Sequence, residues 1–552
     1  VDAVAQGRLA QADLDARAAE VVRLARRSVD IDHPMADLAA SHAMAREAAA
    51  ASIVLLRNED ALLPLPAGTR VAIIGDLAET PRFQGAGSSQ VNAVKVVQPL
   101  AAFSSSPLEV VGFAPGYRRG RASSGAMIAE AAELAGRADV AVVYIGLDEA
   151  SEAEGVDRVD LDLPASQLEV LAAVHAANPA TVVVLTAGSV VSTDWVDQAA
   201  AIVHSYLAGQ AAAEAVVDVL TGEVNPSGRL AETYPMSLAD TPTAGRFPAR
   251  GRHSYYTEGP FVGYRHYLSA GIPVRYPFGF GLGYSTFEYS DLAVDDEGVQ
   301  FTLTNTSGRD GSEVAQLYVG LPGSKLIRPV RELKGFSKQL LAARRSRRVR
   351  IDFNEYTFRH FDVVTGQWQV EPGSWQVMVG ASCVDIRLTA TVDRDAPVVA
   401  RPPELTSYTA GDGRQVSIDD FTRLLGRPLP RPAPGNLLGL NDPLLELGHA
   451  PSPLGRLVDR WLSARLSRSR SQGRPGTEVE FVRNMPFRAI AKMSSGMVSI
   501  AMVEGLIDLL NGHHLRGLLA VLRGYRENKR DNARVDAMLA AGPPYSRLDQ
   551  PA

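Results

Sequence analysis

Four short apolar runs limit how this chain can fold: residues 71–76 (VAIIGD), 139–146 (DVAVVYIG), 181–188 (TVVVLTAG) and 201–207 (AIVHSYL). Each is short, rich in β-branched residues and bounded by turn residues, so it reads as a strand buried on both faces. Helical patterns at 126–136, 166–177 and 211–220 fall between and after them, punctuated by Asn178-Pro179 and Gly188. Strands and helices in alternation build a doubly wound, mostly parallel sheet with helices on both faces.

That unit cannot account for 552 residues, since one core rarely organises more than about 250. From residue 291 to about 397 the apolar period changes to two, with Val299, Phe301 and Leu303, then Val349, Ile351 and Phe353, then Trp375, Val377 and Val379 alternating with polar residues. Short alternating strands with turns such as NTSGRDGSE (305–313) predict a β-sandwich. Trp368 and Trp375 read as core packing ahead of a sugar-stacking pair.

Residues 1–30 read as one amphipathic helix, with Leu14, Ala18, Val21, Val22 and Ala25 at helical spacing, and a second helical stretch covers 35–56. After the sandwich comes a Pro-rich connection, then a helical region in which 464–476 (ARLSRSRSQGRPG) reads as a solvated linker. Residues 497–510 and 514–522 read as two apolar-faced helices suited to packing or to homo-oligomer contact.

A net charge of -6 gives no electrostatic case for nucleic acid or an anionic membrane. The longest apolar stretch, 497–510, carries Glu504 and Asp508 and is too polar to span a bilayer. The single cysteine, Cys383, excludes an intrachain disulfide and reads as a small core residue on a strand. With that cysteine and a compact tail the expected location is cytoplasmic, although a chain that opens on Val1 reads as a fragment. The ten histidines are scattered and no H-E-x-x-H occurs, so neither a metal nor a cofactor is implied.

The chemistry gathers in the acidic loop at 148–162 (DEASEAEGVDRVDLD), directly after the strand at 139–146, where open α/β sheets hold their ligands. By composition alone such a loop is usually a solvated face. The order Glu154, Gly155, Asp157, Arg158, leading to Leu163 and Pro164, resembles the E-G-x-D-R segment in the second domain of glycoside hydrolase family 3. VNPSGRLAETYP (224–235), YYTEGPFVGYRHY (255–267) and YPFGFGLGYSTFEY (276–289) resemble further motifs of that domain, in the same order. Phe280 and Gly283 stand where the family usually has His and Ser, and 207–216 departs from its G-Q-E-G-G. NTSGRDGSEVAQLYV, RELKGF and GSWQVMVGAS resemble the fibronectin type III-like domain that follows.

The resemblance implies a domain plan. Residues 1–33 are the last helix of a truncated (β/α)8 barrel and a linker, 34–290 the α/β domain, 291–397 the fibronectin type III-like domain, and 398–552 a Pro-rich connection and helical extension. It makes Glu154 the acid/base of a retaining β-glucosidase-like enzyme, with Glu152 the runner-up, because a two-residue shift can exchange which carboxylate points inward. Like-charge crowding from Glu149, Glu152 and Asp157 could keep the acid protonated.

The Gly-rich loop at 84–91 (QGAGSSQV) lacks both nucleotide-binding fingerprints, and the family has a similar loop facing the sugar, which assigns Gln84 and Ser88 to the substrate rim. Arg158 anchors the loop or contacts substrate. The family's nucleophile lies on the barrel, and the TDW at 193–195 is an ordinary loop, so Asp194 does not take that role. The expected substrate is a β-linked oligosaccharide or glucoside, and the isolated chain is expected to be inactive or nearly so. The alternative is a non-catalytic carbohydrate-binding or scaffold protein derived from the same domain.

Overall fold

The structure, a computed structural model, describes residues 2–29, 36–120, 122–249, 253–362, 365–396, 404–430, 437–471 and 476–540. It divides into two compact units, Val1–Ala45 and Arg46–Ala552. In the first, helix Gln11–Val29 carries the expected apolar positions, yet none of its residues is buried.

The second unit opens with a six-stranded sheet. Its strands are β1 (Val54–Asn58), β2 (Arg70–Ile74), β3 (Glu109–Ala114), β4 (Val140–Gly146), β5 (Thr181–Thr186) and β6 (Ala201–His204), in the order β1-β6-β5-β4-β2-β3. Five strands run parallel and β1 pairs antiparallel with β6. Every residue of β4 and β5 is buried, as their unbroken apolar runs require. Successive residues serve opposite faces: Ala141, Val143 and Ile145 join one core with Val170, Leu171 and Val174 of helix Ala165–Ala177, and Val140, Val142 and Tyr144 join the other with Val216 and Val219 of helix Ala212–Thr221.

A short pair, β7 (Tyr234–Pro235) with β8 (Val274–Tyr276), leads to the sandwich. Its strands are β9 (Phe287–Val294), β10 (Gly298–Asn305), β11 (Gly311–Gly320), β12 (Glu332–Leu341), β13 (Ser346–Asp352), β14 (Arg359–Asp362), β15 (Gln367–Val370), β16 (Gly373–Gly380) and β17 (Ile386–Arg394). Sheets β13-β10-β9 and β12-β11-β16-β17 enclose one core of Val299, Phe301, Leu303, Leu317, Trp375 and Val377. Trp375 is 2% exposed, whereas Trp368 is 56% exposed, which corrects its reading as core. The reason is topological: Trp368 lies on the separate hairpin β14–β15, paired across it with Phe361. Cys383 is buried as expected, but in the bend between β16 and β17, and burial pushes its thiol up to about 12.

Residues 404–430 are strapped onto the α/β domain. The Tyr408 hydroxyl donates to Thr257 O at 2.7 Å, and the Arg246 guanidinium donates to Gly413 O at 3.0 Å and Val416 O at 2.9 Å. A helical cluster follows, built on Leu438, Leu447, Leu462, Phe487, Val503 and Ile507. Helix Pro453–Ser471 runs through most of the stretch expected to be a linker, because Leu462 and Leu466 stand four residues apart on one helical face and are both buried. The last helix, His514–Ala540, extends well beyond the expected 514–522.

Candidate active site

Loops from the carboxyl ends of β2, β4, β5 and β6 meet above the sheet, the position where doubly wound folds bind ligands. The end of β4 is clamped from the neighbouring helix: Gly146 N–H donates to Gln167 Oε1 at 2.8 Å, and Gln167 Nε2 donates to Gly146 O at 2.9 Å. The acidic loop therefore leaves the sheet from a rigid point.

Its first half is pinned. The Asp148 carboxylate accepts from Ala150 N at 3.1 Å and Ser151 N at 2.8 Å. The Glu152 carboxylate accepts from Arg82 Nη1 at 2.7 Å, Gly188 N at 2.9 Å and the Ser189 hydroxyl. Arg82, 1% exposed at its side chain, also donates to Leu147 O and Glu152 O. Burial works to raise the Glu152 carboxyl, but donation from Ser189, Gly188 and Arg82 outweighs it and holds the group below the usual range. The runner-up thus has the surroundings of a structural anchor.

The second half is open. Glu154 is exposed, and its carboxylate turns across to the Gly-rich loop, accepting from Ser88 N at 2.6 Å, while Glu154 N donates to Ala86 O at 2.9 Å. Gly87 makes this approach possible. It has φ +123°, and a Cβ there would fall 2.5 Å from Glu154 Cβ and 2.6 Å from Oε2. The Ser88 hydroxyl and N–H hold the Glu154 carboxyl below its ordinary value. Crowding was the expected influence, but Glu149 faces Arg119 at 3.4 Å and Glu152 faces Arg82, so their charges are offset.

Gln84 closes the Gly-rich loop on itself, its side chain accepting from Val91 N at 3.0 Å and donating to Val91 O at 3.3 Å. Gln84, Ser88 and Glu154 therefore belong to one rim. Arg158 turns inward, donating through Nη1 to the Ser189 hydroxyl at 2.9 Å and Val190 O at 2.8 Å, while Nη2 is buried without a hydrogen-bond partner. Burial pulls its pKa down against the charges of Glu152 and Asp160. Its anchoring thus runs through a hydroxyl and a carbonyl. In the TDW loop, Trp195 is buried and Asp194 exposed.

Sequence reasoning missed Arg82, Ser189 and Glu232. Glu232 is half-buried, and its carboxyl is pushed up first by burial and then by the charge of Glu152, with Arg158 opposing. Its only sequence signal is a lone carboxylate inside GRLAETYP. A cavity of about 600 Å³ lies between the α/β domain and the sandwich, lined by Arg229, Phe280, Tyr289 and Glu313, and shares no lining residue with these loops. Among the described residues no group of three or more His, Cys, Asp or Glu is placed to hold a metal ion, and no helix is long and apolar enough to cross a membrane.

Comparison with known proteins agrees with this architecture. Residues 53–284 match the glycosyl hydrolase family 3 C-terminal domain, and 313–383 the fibronectin type III-like domain. An exo-α-(1→6)-L-arabinopyranosidase of Bifidobacterium breve is 40% identical over 411 residues, covering 71% of this chain and 54% of that protein. Thermostable β-glucosidase B of Acetivibrio thermocellus is 32% identical over 526 residues, 93% of this chain and 65% of that protein. The crystal structure of a Bifidobacterium adolescentis family 3 β-glucosidase superimposes with a TM-score of 0.69 at 36% identity, covering 83% of this chain and 63% of that one. The chain thus spans roughly half to two thirds of the length of these relatives.

A wound sheet joined to a fibronectin-like sandwich is the C-terminal architecture of a class of glycosidases. The chain belongs to glycoside hydrolase family 3.

Proposed function

We propose that this chain supplies the acid/base, and not the nucleophile, of a retaining glycosidase that removes terminal non-reducing β-D-glucosyl or related residues. The observation that carries this reading is Glu154, the exposed carboxylate of E-G-x-D-R, aimed across the strand ends at Ser88. In the first step its carboxylic acid protonates the departing glycosidic oxygen while a second carboxylate attacks the anomeric carbon. In the second step its carboxylate takes a proton from the water that releases the sugar. Gln84 and Ser88 line the sugar-facing rim, and Arg158 holds the loop from beneath.

Here the Ser88 donors favour the ionised form of Glu154. A proton donor needs the opposite influence, which a nucleophilic carboxylate about 5 to 5.5 Å away would provide. No (β/α)8 barrel is present among the described residues, so we assign that carboxylate to a barrel working with 1–552, and residues 1–33 to the end of that barrel. The isolated chain is then inactive or nearly so. The exposed stripe Leu515, Leu518, Leu519 and Leu522 on helix His514–Ala540 supports homo-oligomer contact through the C-terminal helices.

The test is Glu154→Gln in the barrel-containing enzyme. Turnover of substrates with poor leaving groups is expected to fall about 10²- to 10⁴-fold, while glycosylation by substrates with good leaving groups is largely spared. Equal loss on both would remove Glu154 from the acid role. The similarity to an arabinopyranosidase makes an aryl α-L-arabinopyranoside the second substrate to assay beside an aryl β-D-glucoside. If no barrel works with 1–552 and the chain binds sugars without cleaving either substrate, the non-catalytic alternative takes over.

A further inference from the structure

The Glu154 half of the loop is gripped from a second side, by the C-terminal region. Gly155 has φ +77°, and a Cβ built on it would fall 2.7 Å from Phe481 Cδ2 and 3.3 Å from Phe481 Cε2. The Phe481 ring therefore lies in van der Waals contact with the backbone immediately after Glu154, at a place where only glycine leaves room. Phe481 sits on helix Thr477–Asn484, which is firmly mounted. Arg483 pairs with Asp459 at 3.3 Å, Val479 packs on the helical core around Phe487, and Met485 O accepts from Leu444 N at 3.0 Å.

We propose that Phe481 is a positioning residue for Glu154. A glycine beside an exposed carboxylate would leave the loop free to sample many backbone states. Ser88 restrains the side chain from one flank and the Phe481 ring restrains the backbone from the other, so the helical extension contributes to the site through packing, without touching the reacting atoms. The inference rests on Glu154 being the acid/base group, and the experiment separates the two ideas.

In the 1–552 chain, Phe481→Ala is expected to accelerate amide hydrogen exchange about tenfold at Glu154–Asp157 and to leave Asp148–Glu152 unchanged, because that segment has its own anchors. Phe481→Tyr retains the wild-type rate, and Phe481→Leu keeps the fold and gives an intermediate rate. In the barrel-containing enzyme, Phe481→Ala is expected to lower kcat about 10- to 100-fold on poor leaving groups, with KM within about twofold and good leaving groups spared. Unchanged exchange overturns the proposal, as does a loss confined to KM or a tyrosine variant that fails to restore kcat. Should Glu154→Gln leave turnover of poor leaving groups unchanged while Phe481→Ala still loosens 154–157, the acid/base assignment is the one that has failed.

Discussion

The two halves of the acidic loop differ by two residues in sequence and by their whole surroundings in space. Residues 148–152 are tied to Arg82, Gly188, Ser189 and their own turn, and residues 154–157 face the Gly-rich loop and the Phe481 ring. Both glutamates are held below the usual range, one through a half-buried ion pair and the other through exposed serine donors. A carboxylate whose acceptor sites are filled by buried donors cannot turn toward a substrate, whereas one with a single flank occupied can. The loop is thus divided into an anchored end and an open end.

The largest expected effect that would sharpen this contrast is Arg82→Ala. It leaves the Glu152 carboxylate half-buried without its cation and should cost about 3 kcal/mol in chemical denaturation. Glu154→Gln, at the exposed end, should change stability by less than about 0.5 kcal/mol. If the two variants denature alike, the division into anchored and open ends is broken.

A comparable effect lies in the layer beneath the anchored half. His204 at the end of β6 is fully buried, with Nε2 3.0 Å from the Tyr234 hydroxyl, and burial pulls it down to about 4. The unfolded chain takes up this proton below about pH 6.5 while the folded chain resists until about pH 4, so the unfolded state binds more protons in that window. Stability therefore falls as pH drops from 6.5 to 4, by about 3 kcal/mol from this group. Denaturation curves of His204→Gln should show a slope flattened by that amount; an unaltered slope would show that this histidine is not buried neutral. The smallest effect belongs to Gly87→Ala, where positive φ and the crowding of Glu154 Cβ should cost about 1 kcal/mol and displace the open end alone. Heteronuclear NMR would detect the shift at Ser88 and Glu154, with the Glu152 resonances unmoved.

The parts of this arrangement that were legible in the sequence were local. The strands at 71–76, 139–146 and 181–188 announce themselves because a strand covered on both faces must be apolar at consecutive positions. The sandwich core announces itself by alternation, and Trp375 obeys it. Trp368 does not, because its hairpin stands apart from the two sheets, and no period of two can say which sheet a strand joins. Arg82 was invisible for a related reason: it is 70 residues from Glu152, and nothing in PRF marks it as the partner. Phe481 lies farther still, in a helix whose sequence shows only amphipathicity.

By itself the amino-acid order determined the alternation of strand and helix, the change of period at the sandwich, and the E-G-x-D-R stretch that sets a carboxylate before a glycine in the loop after β4. These are properties of neighbours along the chain. Which of Glu152 and Glu154 is sequestered was decided by tertiary structure, because a charge takes its character from the donors that loops of other strands bring to it. The ring that packs on Gly155 was decided there too, since only folding carries residue 481 to that glycine.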